Sequence, residues 1–280
     1  MAPDPAIVPL RDSPYAFEHS AEETERLAFQ HAVVSQIIGG RFLPAIDNFA
    51  VNAEFRILDC GSGSGSWAND LAFALPRSTV IGFDMHSIDI EFAAPNVRFE
   101  IIDANKYPFP LDDSSFDIIH SRSFSFGITD WPRYIAELRR LLKPDGTIHF
   151  IESVFPELVE AHSPHLCEIY KLLREQYNIN YYIGHTLENL MPDAGLTAII
   201  VKSFTFTYGP YGSTDNERRI GELMRSLTYD GARTIVRAYV AFKGLSEEEA
   251  KPYYDDAVKL FEVSKKVPGY IKYVVAAITC

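Results

Sequence analysis

Basic residues and long apolar runs are scarce in this sequence of 280 residues. Lysine and arginine number 26 against 38 aspartate and glutamate residues, which gives a formal net charge of −12 at pH 7. A net negative field repels nucleic acid and anionic membranes, so we expect neither as a main partner. No apolar run approaches the ~20 residues that a membrane-spanning helix needs. Residues 1–5 lack the basic and apolar regions of a signal peptide, so none is expected.

Cysteine is also rare, and Cys60, Cys167 and Cys280 lie far apart in the chain. Three widely spaced thiols indicate a reducing compartment rather than a disulfide framework, so we expect a cytoplasmic protein. Apolar material is plentiful, because 47% of the residues are hydrophobic and the sequence has 19 phenylalanines and 15 tyrosines. This composition is sufficient for a full core and for an aromatic-lined pocket.

Buried strands and amphipathic helices alternate along the first half of the chain. The five predicted strands are residues 55–60, 79–84, 97–103, 116–121 and 147–152. Asp130 and Pro132 are typical of a helix start, and the run 143–146 (Lys-Pro-Asp-Gly) predicts a turn before the fifth strand. This alternation favours a doubly wound, parallel α/β sheet.

The flanking segments complete the predicted fold. Upstream, Ser20 and Glu23 have the spacing of a capping box, which predicts a cover helix that ends at Gly39 and Gly40. Downstream, we predict helices at 164–177 and 186–192, a strand at 197–208, two or three helices within 213–265 and a final strand at 270–279. The fold class is therefore α/β and Rossmann-like, with a seven-stranded, mostly parallel sheet. We expect one domain over 1–280, made of a cover segment (1–50), a cofactor-binding core (51–152) and a substrate-side half (153–280) whose residues 209–266 form a helical cap before the last strand.

The first predicted strand leads into a glycine-rich loop that opens a helix. The loop reads Asp59-Cys60-Gly61-Ser62-Gly63-Ser64-Gly65. Glycines at alternate positions allow a tight turn and let a ligand lie against bare main chain. The free N–H groups and the positive dipole end of the following helix face the same ligand. We therefore predict a site for a nucleotide-like cofactor at the carboxyl end of the first strand.

The acids at the strand ends bear on which cofactor is bound. Dinucleotide-binding loops read Gly-x-Gly-x-x-Gly or end in alanine, whereas here the third glycine, Gly65, comes one place early. Asp59 lies before the loop, where its carboxylate can accept hydrogen bonds from loop amides. Asp84 and Asp103 end the second and third strands, where carboxylates can bind ribose hydroxyls and an adenine amino group. The set favours an adenosine-containing cofactor, with an NAD-dependent oxidoreductase as an alternative.

These motifs resemble those of class I S-adenosylmethionine-dependent methyltransferases. The glycine loop is similar to their first motif, and the later motifs look like residues 80–84, 103–104, 116–119 and 141–146, in the same order. The similarity extends to the LaeA-like branch of fungal methyltransferases, through Tyr15, Glu22, Glu23, Arg26, Leu27, Gln30, His31, Trp67, 119–122 and 244–248. The resemblance is strong over about residues 15 to 155 and loose over the rest.

The resemblance implies that the cofactor is S-adenosylmethionine, which is released as S-adenosylhomocysteine. It assigns Gly61, Ser62 and Gly63 to the methionine part, Asp84 and Met85 to the ribose, Asp103 and Ala104 to the adenine, Ser121 and Arg122 to the methionine end, and Tyr15, Arg26 and His31 to the carboxylate. On the acceptor side, the candidate substrate contacts are Phe124, Phe126, Glu152, Tyr181 and Tyr182. His185 and His165 are the candidate general bases, whereas His120 and His149 fall within strands and are expected in the core or around the cofactor.

Methyl transfer needs chiefly in-line positioning of the acceptor, so neither an obligatory triad nor a metal site is expected. We expect a methyltransferase that acts on a small, apolar or aromatic secondary metabolite, with O-methylation favoured, as a monomer or homodimer. The alternative is a regulatory LaeA-like protein, or a protein methyltransferase, that acts through a protein partner.

Overall fold

The computed structural model of the chain describes residues 20–40, 52, 54–154, 163–263 and 268–279. Their strands form one seven-stranded sheet in the order β3-β2-β1-β4-β5-β7-β6. The strands are β1 (Arg56–Cys60), β2 (Thr79–Asp84), β3 (Val97–Ile101), β4 (Phe116–Arg122), β5 (Leu142–Val154), β6 (Leu196–Phe206) and β7 (Gly269–Ile278). The strands β1 to β5 are parallel, and β7 is antiparallel to both of its neighbours. The predicted Rossmann-like, mostly parallel sheet is confirmed.

The helices cover both faces of this sheet. They are α1 (Ala21–Ile37), α2 (Ser66–Ala74), α3 (Trp131–Leu141), α4 (Pro164–Tyr177), α5 (Ile183–Thr186), α6 (Asp215–Lys243) and α7 (Glu247–Val263). The helices α6 and α7 lie between β6 and β7 in the chain, as expected of a cap that precedes the last strand. No helix of the described residues is long and apolar enough to cross a membrane.

The core is formed by apolar residues on both faces of the central strands. One cluster of buried side chains lies on the face where Trp67 of α2 and Val34 of α1 pack. A second lies on the opposite face with α3 and α5, and includes Tyr134 and Phe150. A third joins α4, α6 and α7 through Tyr170 and Tyr239. A parallel sheet covered on both sides leaves its carboxyl edge as the place where loops form a site.

Three local predictions differ from the structure. The predicted turn at 143–146 lies inside β5, where Leu142 pairs with Phe116 and Thr147 with Ile118, so these residues form a bulge in a longer strand. The helix predicted at 186–192 is replaced by α5 and two 3₁₀ turns, Leu187–Leu190 and Pro192–Ala194. At the start of α1, Ser20 accepts the Glu23 N–H, but the Glu23 carboxylate binds Arg26 instead of returning to the cap.

Candidate functional site

A cleft opens at the carboxyl ends of β1, β2 and β4, where the strand order reverses between β1 and β4. This is the topological switch point at which α/β sheets bind ligands. The cleft is lined by the glycine loop, by residues after β2 and β3, by residues that end and follow β4, and by Leu27 and Gln30 of α1. Twelve positions predicted from the sequence to hold a cofactor can therefore be placed relative to one cavity, and Tyr15 lies outside the described residues.

The glycine loop has the conformation that its sequence predicts. Gly61, Gly63 and Gly65 have φ of +66°, +55° and +72°, in the left-handed region that only glycine adopts without strain. A Cβ on Gly61 would lie 2.7 Å from the Phe124 ring, and one on Gly65 would lie 2.7 Å from Ile90. Gly65 is the N-cap of α2. The loop thus presents bare main chain to the cleft, next to a helix N-terminus.

Asp84 holds the loop, which is a correction to the role predicted for Asp59. The Asp84 carboxylate accepts the Gly63 N–H at 2.9 Å and the His86 N–H at 3.3 Å. Burial raises the pKa of Asp84, and these two hydrogen bonds oppose the shift. Because Asp84 also lines the cleft, one carboxylate can position the loop and face a ligand.

Asp59 pairs instead with a histidine on the neighbouring strand. It lies opposite His120 in the β1–β4 ladder, and His120 Nδ1–H donates to Asp59 Oδ1 at 2.7 Å. The Trp67 ring stacks on the His120 ring with centroids 3.7 Å apart. Burial lowers the pKa of His120, so the ring is neutral and its Nε2 is an acceptor. All three residues line the cleft.

Arg122 follows two residues after His120, on the same face of β4. Its Nη2–H donates to His31 Nδ1 on α1 at 3.2 Å. Burial lowers the pKa of Arg122 to about 10, so the guanidinium keeps its charge near neutral pH. Arg122 lines the cleft, whereas His31 lies behind it and contacts it through Arg122.

Four polar atoms on these cleft residues are buried and have no hydrogen-bond partner among the described residues. They are Asp59 Oδ2, Trp67 Nε1, His120 Nε2 and Arg122 Nη1. Two are acceptors and two are N–H donors. Buried polar groups in native proteins are almost always paired, so these four atoms are candidate hydrogen-bond partners for a bound group that both donates and accepts.

The other end of the cleft lies beyond β3. Asp103, Ala104 and Asn105 line it, and Asp103 accepts the Asn105 N–H at 3.0 Å. Met85, after β2, is 36% exposed and lines the cleft between the two ends. The resemblance assigns Asp103 and Ala104 to an adenine and Met85 to a ribose, and these assignments remain predictions.

A tight turn after β4 closes the wall of the cleft. Ser123 has φ of +52°, and the next two N–H groups, of Phe124 and Ser125, donate to the Glu152 carboxylate at 2.8 and 3.3 Å. Glu152 is fully buried, which raises its pKa to about 8. Phe124 lines the cleft, but Glu152 lies beneath the turn and outside the cleft lining, so it supports the wall rather than facing a substrate.

Two further cofactor predictions fall outside the cleft. Ser121 is fully buried on the opposite face of β4 and accepts a hydrogen bond from the Tyr134 hydroxyl at 2.9 Å. Arg26 forms an ion pair with Glu23 and lines a separate groove between α1 and α6. In both cases the predicted side chain lies on a face of its element that points away from the cleft. Side chains alternate along a strand and rotate by about 100° per residue along a helix.

Three of the predicted acceptor residues, Phe126, Tyr181 and Tyr182, form an aromatic cluster with Tyr170. Phe126 lies 6.0 Å from Tyr170, Tyr170 lies 4.9 Å from Tyr181, and Tyr181 lies 4.5 Å from Tyr182, all between ring centroids. These rings belong to the third core cluster or pack against it, and none is in the lining of the cofactor cleft.

The two predicted general bases are also outside the cofactor cleft. His165, at the start of α4, is held by the buried Asp256, which contacts its Nδ1 and its backbone N–H at 2.9 Å each. His185, on α5, is exposed and lies 5.9 Å from the Tyr182 ring. The histidine that the cleft does contain, His120, had been expected in the core or around the cofactor.

Comparison with known proteins agrees with this geometry. Residues 57–146 match the sequence model described as a methyltransferase domain. Methyltransferase pytC of Aspergillus terreus is 34% identical over 142 residues, which are 50% of this chain and 42% of pytC. The secondary metabolism regulator LAE1 of Cochliobolus heterostrophus is 30% identical over 139 residues, which are 49% of this chain and 45% of LAE1. The chain thus spans about half the length of these relatives.

The solved structures share the fold. The S-adenosylmethionine-dependent methyltransferase of Thiobacillus denitrificans, solved with S-adenosylhomocysteine, is 17% identical, with a TM-score of 0.50 over 91% of each chain. The fold of the described residues is that of class I S-adenosylmethionine-dependent methyltransferases. Residues 57–146 match a methyltransferase domain, and fungal secondary metabolism regulators are among the proteins to which the chain is similar.

Proposed function

We propose that the protein binds S-adenosylmethionine in this cleft and transfers its methyl group to a small secondary metabolite. The observation that carries the proposal is the set of four buried polar atoms, on Asp59, Trp67, His120 and Arg122, that have no partner within the described part of the chain. Two donors match the carboxylate of the methionine part and two acceptors match its ammonium group. In this proposal, Asp84 and Asp103 accept hydrogen bonds from the hydroxyls and the amino group of adenosine.

The residues of the chain contribute binding and orientation. When bound, the cofactor supplies a methyl group already activated by the positive sulfur. The Arg122 guanidinium fixes the carboxylate end, the glycine loop admits the ligand against main chain, and the Phe124 ring packed on Gly61 shapes the wall. Holding two reactants in line can supply several kcal/mol of the barrier reduction. We propose O-methylation of an apolar or aromatic acceptor held beside the Tyr170–Tyr182 cluster.

Incubation with S-adenosylmethionine and a panel of phenols, carboxylic acids and amines tests the proposal. Formation of S-adenosylhomocysteine with at least one acceptor is the expected result. The variant Asp84→Ala, which removes a cleft carboxylate and the Gly63 anchor, is the matched negative control and should form none. Tight cofactor binding with no product from any acceptor would count against a metabolite-methylating enzyme.

The relatives support a second candidate, a regulator that works through a protein partner. One relative is named as the secondary metabolism regulator LAE1. A regulator should hold a partner in a stable, stoichiometric complex, whereas a metabolite methyltransferase need not. Affinity purification of the full chain from its own cells, followed by quantitative mass spectrometry, separates the two. A partner at equal stoichiometry, with no transfer to small acceptors, would favour the regulator.

A pair of serines in the left-handed region provides a specific test of the cleft wall. Ser114 and Ser123 have φ of +47° and +52°, and only Ser123 lines the cleft. Replacing either by glycine should raise the free energy of unfolding by roughly 0.5–1 kcal/mol, because glycine adopts this conformation without strain. Because Ser123 lines the cleft, Ser123→Gly also removes a hydroxyl that a bound ligand can contact, so we expect it to lower the rate of methyl transfer, whereas Ser114→Gly should leave the rate unchanged. Equal rates for both variants would show that the Ser123 hydroxyl takes no part.

A further inference from the structure

The helix α1 covers the cleft through three residues on one face. Leu27, His31 and Val34 are spaced by four and three positions, so they lie along the same side of the helix. Leu27 lies against the glycine loop, since a Cβ on Gly63 would be 3.1 Å from its Cδ1. Val34 is in the core. His31, between them, is the polar member of this face and is 7% exposed.

His31 connects Arg122 to the helix that follows the glycine loop. Arg122 Nη2 lies 3.2 Å from His31 Nδ1, and His31 Nε2 lies 3.5 Å from Asp70 Oδ2 on α2. A guanidinium only donates, so Nδ1 must be the unprotonated nitrogen and the ring proton must be on Nε2, facing Asp70. Burial and the nearby Arg122 charge lower the pKa of His31 to about 4, which agrees with a neutral ring.

This arrangement leaves one edge of the guanidinium for a ligand. His31 engages Nη2, while Nη1 is buried without a partner among the described residues. A long arginine side chain held by a fixed acceptor loses less freedom when it binds an anion. The acceptor that fixes it is carried by α1, so the position of α1 and the position of the guanidinium depend on each other.

We propose that His31 is a positioning residue that couples the docking of α1 to the binding of the methyl donor. The proposal rests on the function proposed above and adds a role to a residue that does not face the cleft. His31 acts by fixing the Arg122 guanidinium, and bound ligand in turn strengthens the contact that holds α1 on the sheet. Such coupling is reciprocal, so ligand must stabilise α1 as much as docked α1 favours ligand.

A double-mutant cycle on S-adenosylhomocysteine affinity tests this role. His31→Phe keeps a ring of similar size and removes the acceptor, and should weaken binding about 10-fold. Arg122→Lys keeps the charge and loses the fork, and should weaken binding about 10-fold as well. In the Arg122→Lys background, His31→Phe should change the affinity by less than about twofold, because the guanidinium fork that His31 orients is gone. Additive effects, or wild-type affinity for His31→Phe, would overturn the proposal.

Two controls make the outcome specific. His31→Gln offers an amide oxygen to Arg122 and an N–H to Asp70, so it should recover part of the affinity, and it replaces His31→Phe in the cycle if that variant fails to fold. Hydrogen exchange provides the second readout, because S-adenosylhomocysteine should slow exchange of the amides of α1 in the wild type and less so in His31→Phe. Slowing in α2 alone would contradict coupling to α1. A wild type that binds no S-adenosylhomocysteine would instead refute the proposed function.

Discussion

Replacing Arg122 by methionine is expected to weaken S-adenosylhomocysteine binding by about 100-fold, since truncating one partner of a desolvated charge pair costs several kcal/mol. The methionine side chain keeps most of the volume and removes both the Nη2 donor to His31 and the Nη1 that has no partner in the described ranges. We expect thermal stability to fall only modestly, because the buried Arg122 charge also has a desolvation cost that the variant removes. Isothermal titration calorimetry with S-adenosylhomocysteine measures the effect.

The matched control is Arg98→Met on β3. Arg98 is 54% exposed at its side chain, pairs with Glu100 and lies outside the cleft lining. Its replacement should leave affinity within about twofold of the wild type, as expected of a surface ion pair. An Arg122→Met variant that is folded and binds like Arg98→Met would show that the four unpaired atoms do not form the site of the ligand carboxylate.

Replacing Glu152 by glutamine is expected to change how stability depends on pH. The folded protein raises the pKa of Glu152 from 4.5 to about 8 through burial, so between these values the folded state holds a proton that the unfolded state has released. The contribution of this group to stability is therefore full below about pH 4.5 and is lost progressively as pH rises to about 8. Glutamine does not titrate, so the Glu152→Gln variant should not show this loss of stability between pH 4.5 and 8.

The size of this effect follows from the linkage of about 1.4 kcal/mol per pKa unit, so the difference in unfolding free energy between wild type and Glu152→Gln should change by roughly 3 kcal/mol from pH 5 to pH 8. Urea unfolding at several pH values measures this difference. The control is Glu175→Gln, at a carboxylate with 63% side-chain exposure, and its curve should run parallel to that of the wild type. If the stability of Glu152→Gln changed with pH in parallel with that of the wild type, Glu152 would not be a buried carboxyl with a raised pKa.

The central fold could be predicted because its signals are local. Each of the first five strands is a short apolar run that ends near a charged or glycine residue, and the structure places the glycines and Asp84 at the cleft as that pattern indicates. The left-handed φ values of the glycine loop follow from residue type alone. The sequence does not predict the bulge at 143–146, because proline and glycine are typical of a turn and also of a bulge within a strand.

The inner details of the site could not be predicted because they depend on pairing between distant segments. The Asp59–His120 hydrogen bond joins residues 61 positions apart, and their opposition in the ladder is set by strand register. Which face of β4 lines the cleft decides that Arg122 rather than Ser121 reaches it, since neighbours on a strand point to opposite faces. The sequence does indicate that His120 and Arg122 share one face of β4, because they are two residues apart. That Asp59 lies on the same face is known only once the β1–β4 register is known.

The rotation of α1 was equally hidden. Arg26, Gln30 and His31 all suited a cover helix, but only tertiary packing decides which of them face the sheet. The structure turns Gln30 into the cleft, His31 onto Arg122 and Arg26 towards Glu23. The sequence identifies Trp67 only as part of a family motif, because its stacking on His120 depends on the fold.

The central claim is that the cleft binds S-adenosylmethionine and not a dinucleotide. Calorimetric titration of the full chain with S-adenosylhomocysteine, and separately with NAD, tests it most directly. We expect one S-adenosylhomocysteine to bind per chain, binding to be weaker in Arg122→Met and in Asp84→Ala, and NAD to give no heat of binding. Binding of NAD in the absence of S-adenosylhomocysteine binding would contradict it.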